Sequence, residues 1–187
     1  MVATIALALW LNSEKLEWSK PVGGLVGRIE VVRKGEKNGT PKLVPYLVLR
    51  NVTDSLGTVD VFLSNSNLKL SLVDAKGKEI RSGNSGLNGR NGFIPNRFWL
   101  QIPFDSTVRI NASLEGYFNQ AQGELLLETD FALLFLPKGY SGEAFLRGTF
   151  TIKDPPHEAR SMRWEGQLAL PKIRVWDGRR ITAPPAD

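Results

Sequence analysis

The stretch "EAFLRGTFTI", from Glu143 to Ile152, indicates most clearly which fold class the sequence encodes. Its side chains fall into two sets that alternate along the chain. One set is apolar or small, and it consists of Ala144, Leu146, Gly148, Phe150 and Ile152. The other set is polar apart from its first member, and it consists of Phe145, Arg147, Thr149 and Thr151. Because a period of two places the sets on opposite faces of an extended chain, the stretch predicts a β-strand.

Similar strand patterns recur along the chain and are separated by turn signals at intervals of about ten residues. They cover residues 25–33, 43–51, 58–63, 68–74, 97–103 and 106–114. Asn38-Gly39 and Gly77 mark turns, since both positions suit a tight reversal of the chain. Asn51 is predicted to end a strand, and Pro45 indicates a sheet edge or a strand start.

Two longer stretches leave alternatives open. Residues 123–137 predict either one bent strand or a strand pair broken near Thr129-Asp130, and residues 162–176 predict one or two strands around Pro171. No segment longer than about ten residues shows helical periodicity. These patterns predict an all-β fold, an antiparallel immunoglobulin-like β-sandwich, with a barrel or a jelly roll as the alternative.

The chain divides into a single predicted domain with short flanking segments. The β-sandwich covers residues 16–176, and residues 177–187 form a polar C-terminal tail. Residues 1–15 are apolar, but the run from Val2 to Leu11 is too short to span a bilayer as a helix. This segment is either a degenerate export signal or the first strand. Export to the periplasm or cell envelope is therefore one expectation, and no transmembrane span is expected.

Composition limits the chemistry that this protein can perform. Of its 187 residues, 42% are apolar and 23% are charged, which is enough to build a core without disulfides or metal ions. The chain has no cysteine and a single histidine, His157. These counts exclude thiolate catalysis, cysteine-based zinc or iron–sulfur sites and His-rich metal sites. We therefore expect no metal ion and no cofactor. The net charge of +5 permits contact with anionic partners.

The stretch "RSGNSGLNGRNGFIPNRFW", from Arg81 to Trp99, is the main candidate for a binding loop. Glycine stands at every third position from 83 to 92, and backbone N–H groups freed in this way can surround an anion. The candidate ligand-binding residues are Arg81, Asn88, Arg90, Asn91 and Arg97. However, the stretch leads into a strand rather than a helix and has no phosphate-loop motif. The alternative is a long connection between strands whose residues tolerate a positive φ.

Tryptophans offer a second kind of candidate site. Trp99 lies in a strongly β-forming segment and is predicted to be in the core. Trp164 and Trp176 are flanked by prolines and basic residues, so they are candidates for an exposed aromatic platform that stacks on sugar rings. The alternative for both is packing in the core or against the tail.

No catalytic residue is predicted. His157 lies in the proline-broken stretch "DPPHEAR", and the chain lacks the Gly-x-Ser-x-Gly motif of a nucleophilic serine. Glu124, Glu128 and Asp130 lie close together in the sequence, as paired carboxylates of a glycoside hydrolase or a calcium site would require. Solvated acids on a sheet face explain them equally well. Nucleic acid is not an expected partner, because no nucleic-acid motif is present.

Four segments resemble a known type of module. They are "LEWSKPVGGLVGRIEVV" (16–32), "YLVLRNVTD" (46–54), "WLQIPFDSTVRINAS" (99–113) and "FLRGTFTI" (145–152). In this order they resemble an immunoglobulin-like β-sandwich module of secreted or membrane-tethered proteins in planctomycete-type bacteria. That module opens with a Trp-Gly-Glu-like stretch, whereas this chain has Ser19-Lys20 after Trp18. The resemblance implies a sandwich fold and no assigned chemistry.

The sequence thus predicts a non-catalytic interaction or structural module. The alternative function is carbohydrate or polyanion binding through the loop 81–97. The expected partner is a protein or a polysaccharide, and the sequence leaves the oligomeric state open.

Overall fold

The structure is a computed structural model that describes residues 16–37, 40–54, 57–64, 67–80, 98–112, 123–128, 133–153, 155, 162–180 and 182. These residues form strands and no α-helix, which confirms the all-β class. The strands are β1 (Leu25–Lys37), β2 (Thr40–Asn51), β3 (Val59–Leu63), β4 (Leu68–Val73), β5 (Phe98–Ile102), β6 (Thr107–Asn111), β7 (Gly123–Glu128), β8 (Leu133–Pro137), β9 (Glu143–Ile152), β10 (Met162–Arg163) and β11 (Gly166–Asp177). None of the described segments forms a helix long and apolar enough to cross a membrane.

The strands pair into three sheets, mostly in antiparallel fashion. Sheet 1 has the order β1-β2-β7-β8, and β6 also pairs with β2. Sheet 2 has the order β10-β3-β5, and sheet 3 has the order β11-β9-β4. Only β2–β7 and β10–β3 run parallel among the described pairs. Lys37 of β1 pairs with Thr40 of β2, so these two strands flank the predicted Asn38-Gly39 turn.

Pro45 occupies a position where β2 changes its neighbour. On one side, β2 pairs with β1 along most of its length. On the other side, Lys42 and Leu43 pair with β7, whereas Tyr46 to Arg50 pair with β6. A proline has no N–H to donate, and it is tolerated where ladder pairing is interrupted. Its carbonyl oxygen still accepts a hydrogen bond from the Ala112 N–H at 2.9 Å.

One hydrophobic core joins the three sheets. Sheet 1 contributes Leu25 and Ile29, sheet 2 contributes Val61, and sheet 3 contributes Leu146 and Phe150, all of them buried. The alternation in β9 is confirmed, because Ala144, Leu146, Gly148, Phe150 and Ile152 are buried and their neighbours are less so. Burial of these apolar side chains supplies the main driving force for folding.

The structure distinguishes between the alternatives that the sequence leaves open for the two longer stretches, 123–137 and 162–176. Residues 123–128 and 133–137 form an antiparallel strand pair, β7 and β8, rather than one bent strand. Residues 162–176 contain two strands, β10 and most of β11, but the break lies at residues 164–165, and β11 passes through Pro171 at a shift in its pairing register with β9. The bulge accommodates the missing N–H of the proline. The predicted turn at Gly77 is present, with a φ of 82°.

Candidate functional site

The predicted loop residues Arg81, Asn88, Arg90, Asn91 and Arg97 lie outside the described residues, but both ends of the loop are described. At the first end, Ile80 donates its N–H to the Leu72 carbonyl of β4 at 2.9 Å. At the second end, Phe98 begins β5 and pairs with Leu63. The two described ends of this stretch therefore lie at sheet 3 and at the start of β5 in sheet 2.

Sheet 2 has two different faces. Val59, Val61 and Leu63 of β3 are buried and point to the core. The alternate residues lie on the opposite face, which we call the aromatic face, and its members are Asp60, Phe62, Trp99, Gln101 and Arg163. Cross-strand register explains this grouping, because residues directly opposite each other in neighbouring strands share a face.

An aromatic pair lies at the centre of this face. Phe62 and Trp99 are register partners, and their ring centroids are 5.2 Å apart with a tilt of 56° between the planes. Both side chains are only partly buried. The prediction that Trp99 is a core residue is therefore wrong. The physical reason is strand parity: Leu100 and Ile102 of the same strand take the core positions and leave Trp99 on the other side.

A polar row lies one register pair away from the aromatic pair. Gln101 donates its amide to Asp60 Oδ1 at 3.1 Å, and Arg163 is the register partner of Asp60 on the other side. Asp60 is only 2% exposed, so a ligand in solvent cannot easily reach it. Its role on this face is to hold the Gln101 side chain in position. Arg163 also donates to the Pro155 carbonyl at 3.4 Å. Hydrogen-bonding groups are thus fixed beside the aromatic rings.

Exposed apolar side chains concentrate at the ends of the same sheet. Among the described residues, the large hydrophobic side chains that are exposed are Phe98, Phe104 and Met162, at 47%, 40% and 57%. Phe98 begins β5, Phe104 follows its end by two residues, and Met162 begins β10. Phe98 lies opposite Leu63 at one end of the sheet, whereas Met162 lies opposite Val59 at the other end, so these side chains lie at its rim rather than on the aromatic face.

Trp164 and Trp176 do not form an exposed platform. Trp164 is 2% exposed, and its ring stacks on Phe150 with a centroid distance of 5.7 Å. Its indole N–H is bonded to the Val22 carbonyl, so the whole ring can be buried without an unsatisfied donor. Trp176 is 7% exposed. The prediction of a surface platform at these two residues is therefore wrong, and their alternative, core packing, is correct.

The remaining candidates are placed only in part. Glu124 and Glu128 belong to β7, while Asp130 and His157 lie outside the described residues. Within the described ranges, no three histidine or carboxylate side chains lie close enough together to hold a metal ion.

Comparison with protein families, characterised proteins and solved structures finds no match to this chain.

Proposed function

We propose that this chain is a non-catalytic interaction module that binds its partner through the aromatic face of sheet 2. The observation that carries the proposal is the Phe62–Trp99 pair, whose two rings are only partly buried at the centre of this face. Partly exposed aromatic rings supply much contact area and lose little conformational entropy on binding. The Phe62–Trp99 contact restrains both rings before a partner arrives, which reduces the cost of binding further.

The proposal includes an immunoglobulin-like sandwich as the scaffold. The single core shared by all three sheets supports this arrangement, since a sandwich buries the inner faces of its sheets against each other. The resemblance to the bacterial β-sandwich module supports the same scaffold and a role without catalysis.

Retention of a defined partner by wild-type and variant chains tests the proposal. Tagged protein is incubated with lysate and envelope extract, and the retained protein and glycan are identified. Trp99→Ala should abolish retention of the main partner. Phe145→Ala is the matched control, because Phe145 is another partly buried aromatic residue but lies on sheet 3. Equal retention by wild type and Trp99→Ala would refute the role of the aromatic face.

Carbohydrate binding is a second candidate function, and the polar row favours it. A sugar ring stacks its C–H face on an aromatic ring, while its hydroxyl groups need donors and acceptors nearby. On this face Gln101 and Arg163 lie one register step from Phe62 and Trp99. Successive residues on one face of a strand are about 7 Å apart, so a sugar that stacks on the aromatic pair lies within reach of these polar side chains.

Calorimetric titration with neutral oligosaccharides tests this second function. Glucose-, xylose- and N-acetylglucosamine-based hexamers cover the common neutral backbones. If the face binds carbohydrate, one series should give saturable binding that Trp99→Ala and Gln101→Ala both abolish. If no oligosaccharide series gives a binding heat, this face does not bind these carbohydrates, and a protein is the remaining candidate partner.

The predicted loop remains a further part of the proposal, because it joins β5 directly. An Arg81→Ala/Arg90→Ala/Arg97→Ala variant separates its contribution from that of Trp99. If the loop binds a polyanion, the triple variant loses retention and the wild type loses it steeply with added salt. If the triple variant behaves as the wild type does, residues 81–97 act as a connection.

A further inference from the structure

A second surface, on sheet 1, carries a pair of arginines that the proposed function does not use. Register places Arg28 of β1 and Arg109 of β6 on either side of Val48 of β2. On the same face, Glu30 of β1 is the register partner of Tyr46 of β2. These residues lie opposite the core, because the alternate residues of all three strands pack inward.

One carboxylate serves both arginines. Arg28 donates its Nε and one terminal nitrogen to Glu30 Oε1, at 3.1 and 2.6 Å. Arg109 Nε lies 3.0 Å from Glu30 Oε2. Two positive charges therefore share one negative charge. Arg50, the next arginine on this face, pairs instead with Asp105, which has no second arginine partner among the described residues. The uncompensated positive charge is located at Arg28 and Arg109.

Both guanidinium groups lie over aromatic rings. The guanidinium carbon of Arg109 lies 3.7 Å from the centroid of the Tyr46 ring, and that of Arg28 lies 4.3 Å from the centroid of Trp18. Val48, which lies between the arginines, is only 2% exposed, as expected when their aliphatic stems cover it. Stacking fixes the rotamers in advance, so a ligand pays little entropy to order them.

Arg109 keeps one edge available for a ligand. Its Nε faces Glu30, but its two terminal nitrogens form no hydrogen bond with the described residues. The side chain is 46% exposed. The terminal nitrogens of a guanidinium form a planar fork that matches two oxygens of a carboxylate, sulfate or phosphate group. The geometry of Arg109, the excess positive charge around it and its accessibility therefore all favour binding of an anionic group.

We propose that Arg109, supported by Arg28, forms a binding site for the oxyanion group of an acidic ligand on the outer face of sheet 1. Glu30 and Tyr46 act as positioning residues, since they hold the fork open without contacting the ligand. The site is separate from the aromatic face, so its failure and the failure of the proposed function are distinguishable.

Side-chain NMR of ¹⁵N-labelled full-length protein tests the site. Phosphate, sulfate and acetate are each titrated at constant ionic strength against chloride. The Nε–H signal of Arg109 should shift and saturate. Arg147 is the internal control, because it is 47% exposed and pairs with one carboxylate, Glu79, on another sheet. Equal, unsaturated shifts at Arg109 and Arg147 would overturn the proposal. The anion that saturates at the lowest concentration identifies the ligand group, planar or tetrahedral.

A conservative substitution provides the second readout. Arg109→Lys keeps the charge but removes the fork and its stacking on Tyr46, so we expect at least about tenfold weaker anion binding, followed at the Arg28 signal. Arg147→Lys should leave the affinity unchanged. If Arg109→Lys binds the anion as tightly as the wild type, the site depends on general positive charge and the proposal is wrong.

Discussion

The indole nitrogen of Trp164 donates a 2.7 Å hydrogen bond to the carbonyl oxygen of Val22, which lies 142 residues earlier in the chain. The bond joins the residue after β10 to the segment that enters β1. Because it satisfies the polar atom of the largest side chain in the core, Trp164 can be buried completely. Trp176 differs in this respect, since its buried indole nitrogen has no hydrogen-bond partner among the described residues.

Substitution of these two tryptophans should therefore give unequal losses of stability. Trp164→Phe removes ring volume and also the indole donor of the Val22 carbonyl, which then keeps only the Leu25 N–H, so we expect the free energy of unfolding to fall by about 2–3 kcal/mol. Trp176→Phe removes similar volume but no hydrogen bond, so we expect a loss of about 1–2 kcal/mol. Urea unfolding followed by circular dichroism measures both values. Equal losses would show that the Val22 bond contributes nothing.

A close approach between sheets 1 and 3 predicts a second effect. A Cβ atom added at Gly148 of β9 would lie 2.7 Å from Ile29 Cδ1 and 2.9 Å from Leu70 Cδ2. Both neighbours belong to the packed core or pack against it, so Gly148→Ala should destabilise the fold by about 2 kcal/mol. Ile29→Val removes the nearest methyl group. In a double-mutant cycle the Ile29→Val background should reduce the cost of Gly148→Ala, and additive costs would contradict the proposed clash.

Local patterns in the sequence predict much of the strand framework. The alternation of 143–152 corresponds to β9, and the predicted strand end at Asn51 is the last residue of β2. Both features depend on the properties of neighbouring residues. In contrast, parity predicts which side a residue faces but does not indicate what covers it, and this explains the errors at Trp164 and Trp176. Trp164 is buried because Val22 and Phe150 are brought to it from distant parts of the chain.

The two surfaces described here depend even more on non-local pairing. Trp99 shares a parity with the polar Gln101 in "RFWLQIP", and this signal alone favours an outward position. Its contact with Phe62 depends on the register of β3 and β5, which the sequence does not reveal. Similarly, Arg28, Tyr46 and Arg109 come from three strands and meet only through two registers.

Asn51 predicts a third effect on stability, because it is fully buried and makes several hydrogen bonds. Its side-chain amide donates to the Ile102 carbonyl at 2.9 Å and to the Gly57 carbonyl at 3.1 Å, and its oxygen accepts the Thr53 N–H at 3.0 Å. Asn51→Ala leaves these backbone groups unpaired, so we expect a loss of about 3 kcal/mol or more.

Asn67→Ala is the matched control for Asn51→Ala. Asn67 also bonds to the backbone, at Ser64 N–H and the Thr151 carbonyl, but it is partly exposed and water can replace it. We expect a loss of about 1 kcal/mol. Chemical unfolding of both variants gives the comparison. If Asn51→Ala lowers the free energy of unfolding no more than Asn67→Ala does, burial of Asn51 does not increase the stabilisation that its hydrogen bonds provide.

Asp177 predicts a pH dependence at the end of β11. The backbone N–H groups of Arg180 and Arg179 donate to its carboxylate and lower the pKa of Asp177, and the Arg180 guanidinium adds to the effect. This turn returns the chain to β11, where the Thr182 hydroxyl donates to the Arg174 carbonyl at 2.6 Å. The charged carboxylate, rather than the protonated acid, therefore stabilises the turn.

The sign of the effect follows from the lowered pKa. Since the pKa is lower in the folded chain than in the unfolded chain, the stabilisation is fully present above the unfolded-state pKa and is lost as the pH falls through the folded-state pKa. The carboxyl ¹³C signal of Asp177 should titrate with a lower midpoint in the protein than in a peptide of residues 174–182. Asp177→Ala should weaken the hydrogen bond between Thr182 and the Arg174 carbonyl at neutral pH. In this variant the strength of that bond should no longer change as the pH is lowered. Asp177→Asn retains a hydrogen-bond acceptor that does not titrate, so it should preserve the turn at acidic as well as neutral pH. Identical titration midpoints for Asp177 in the protein and in the peptide would contradict this explanation.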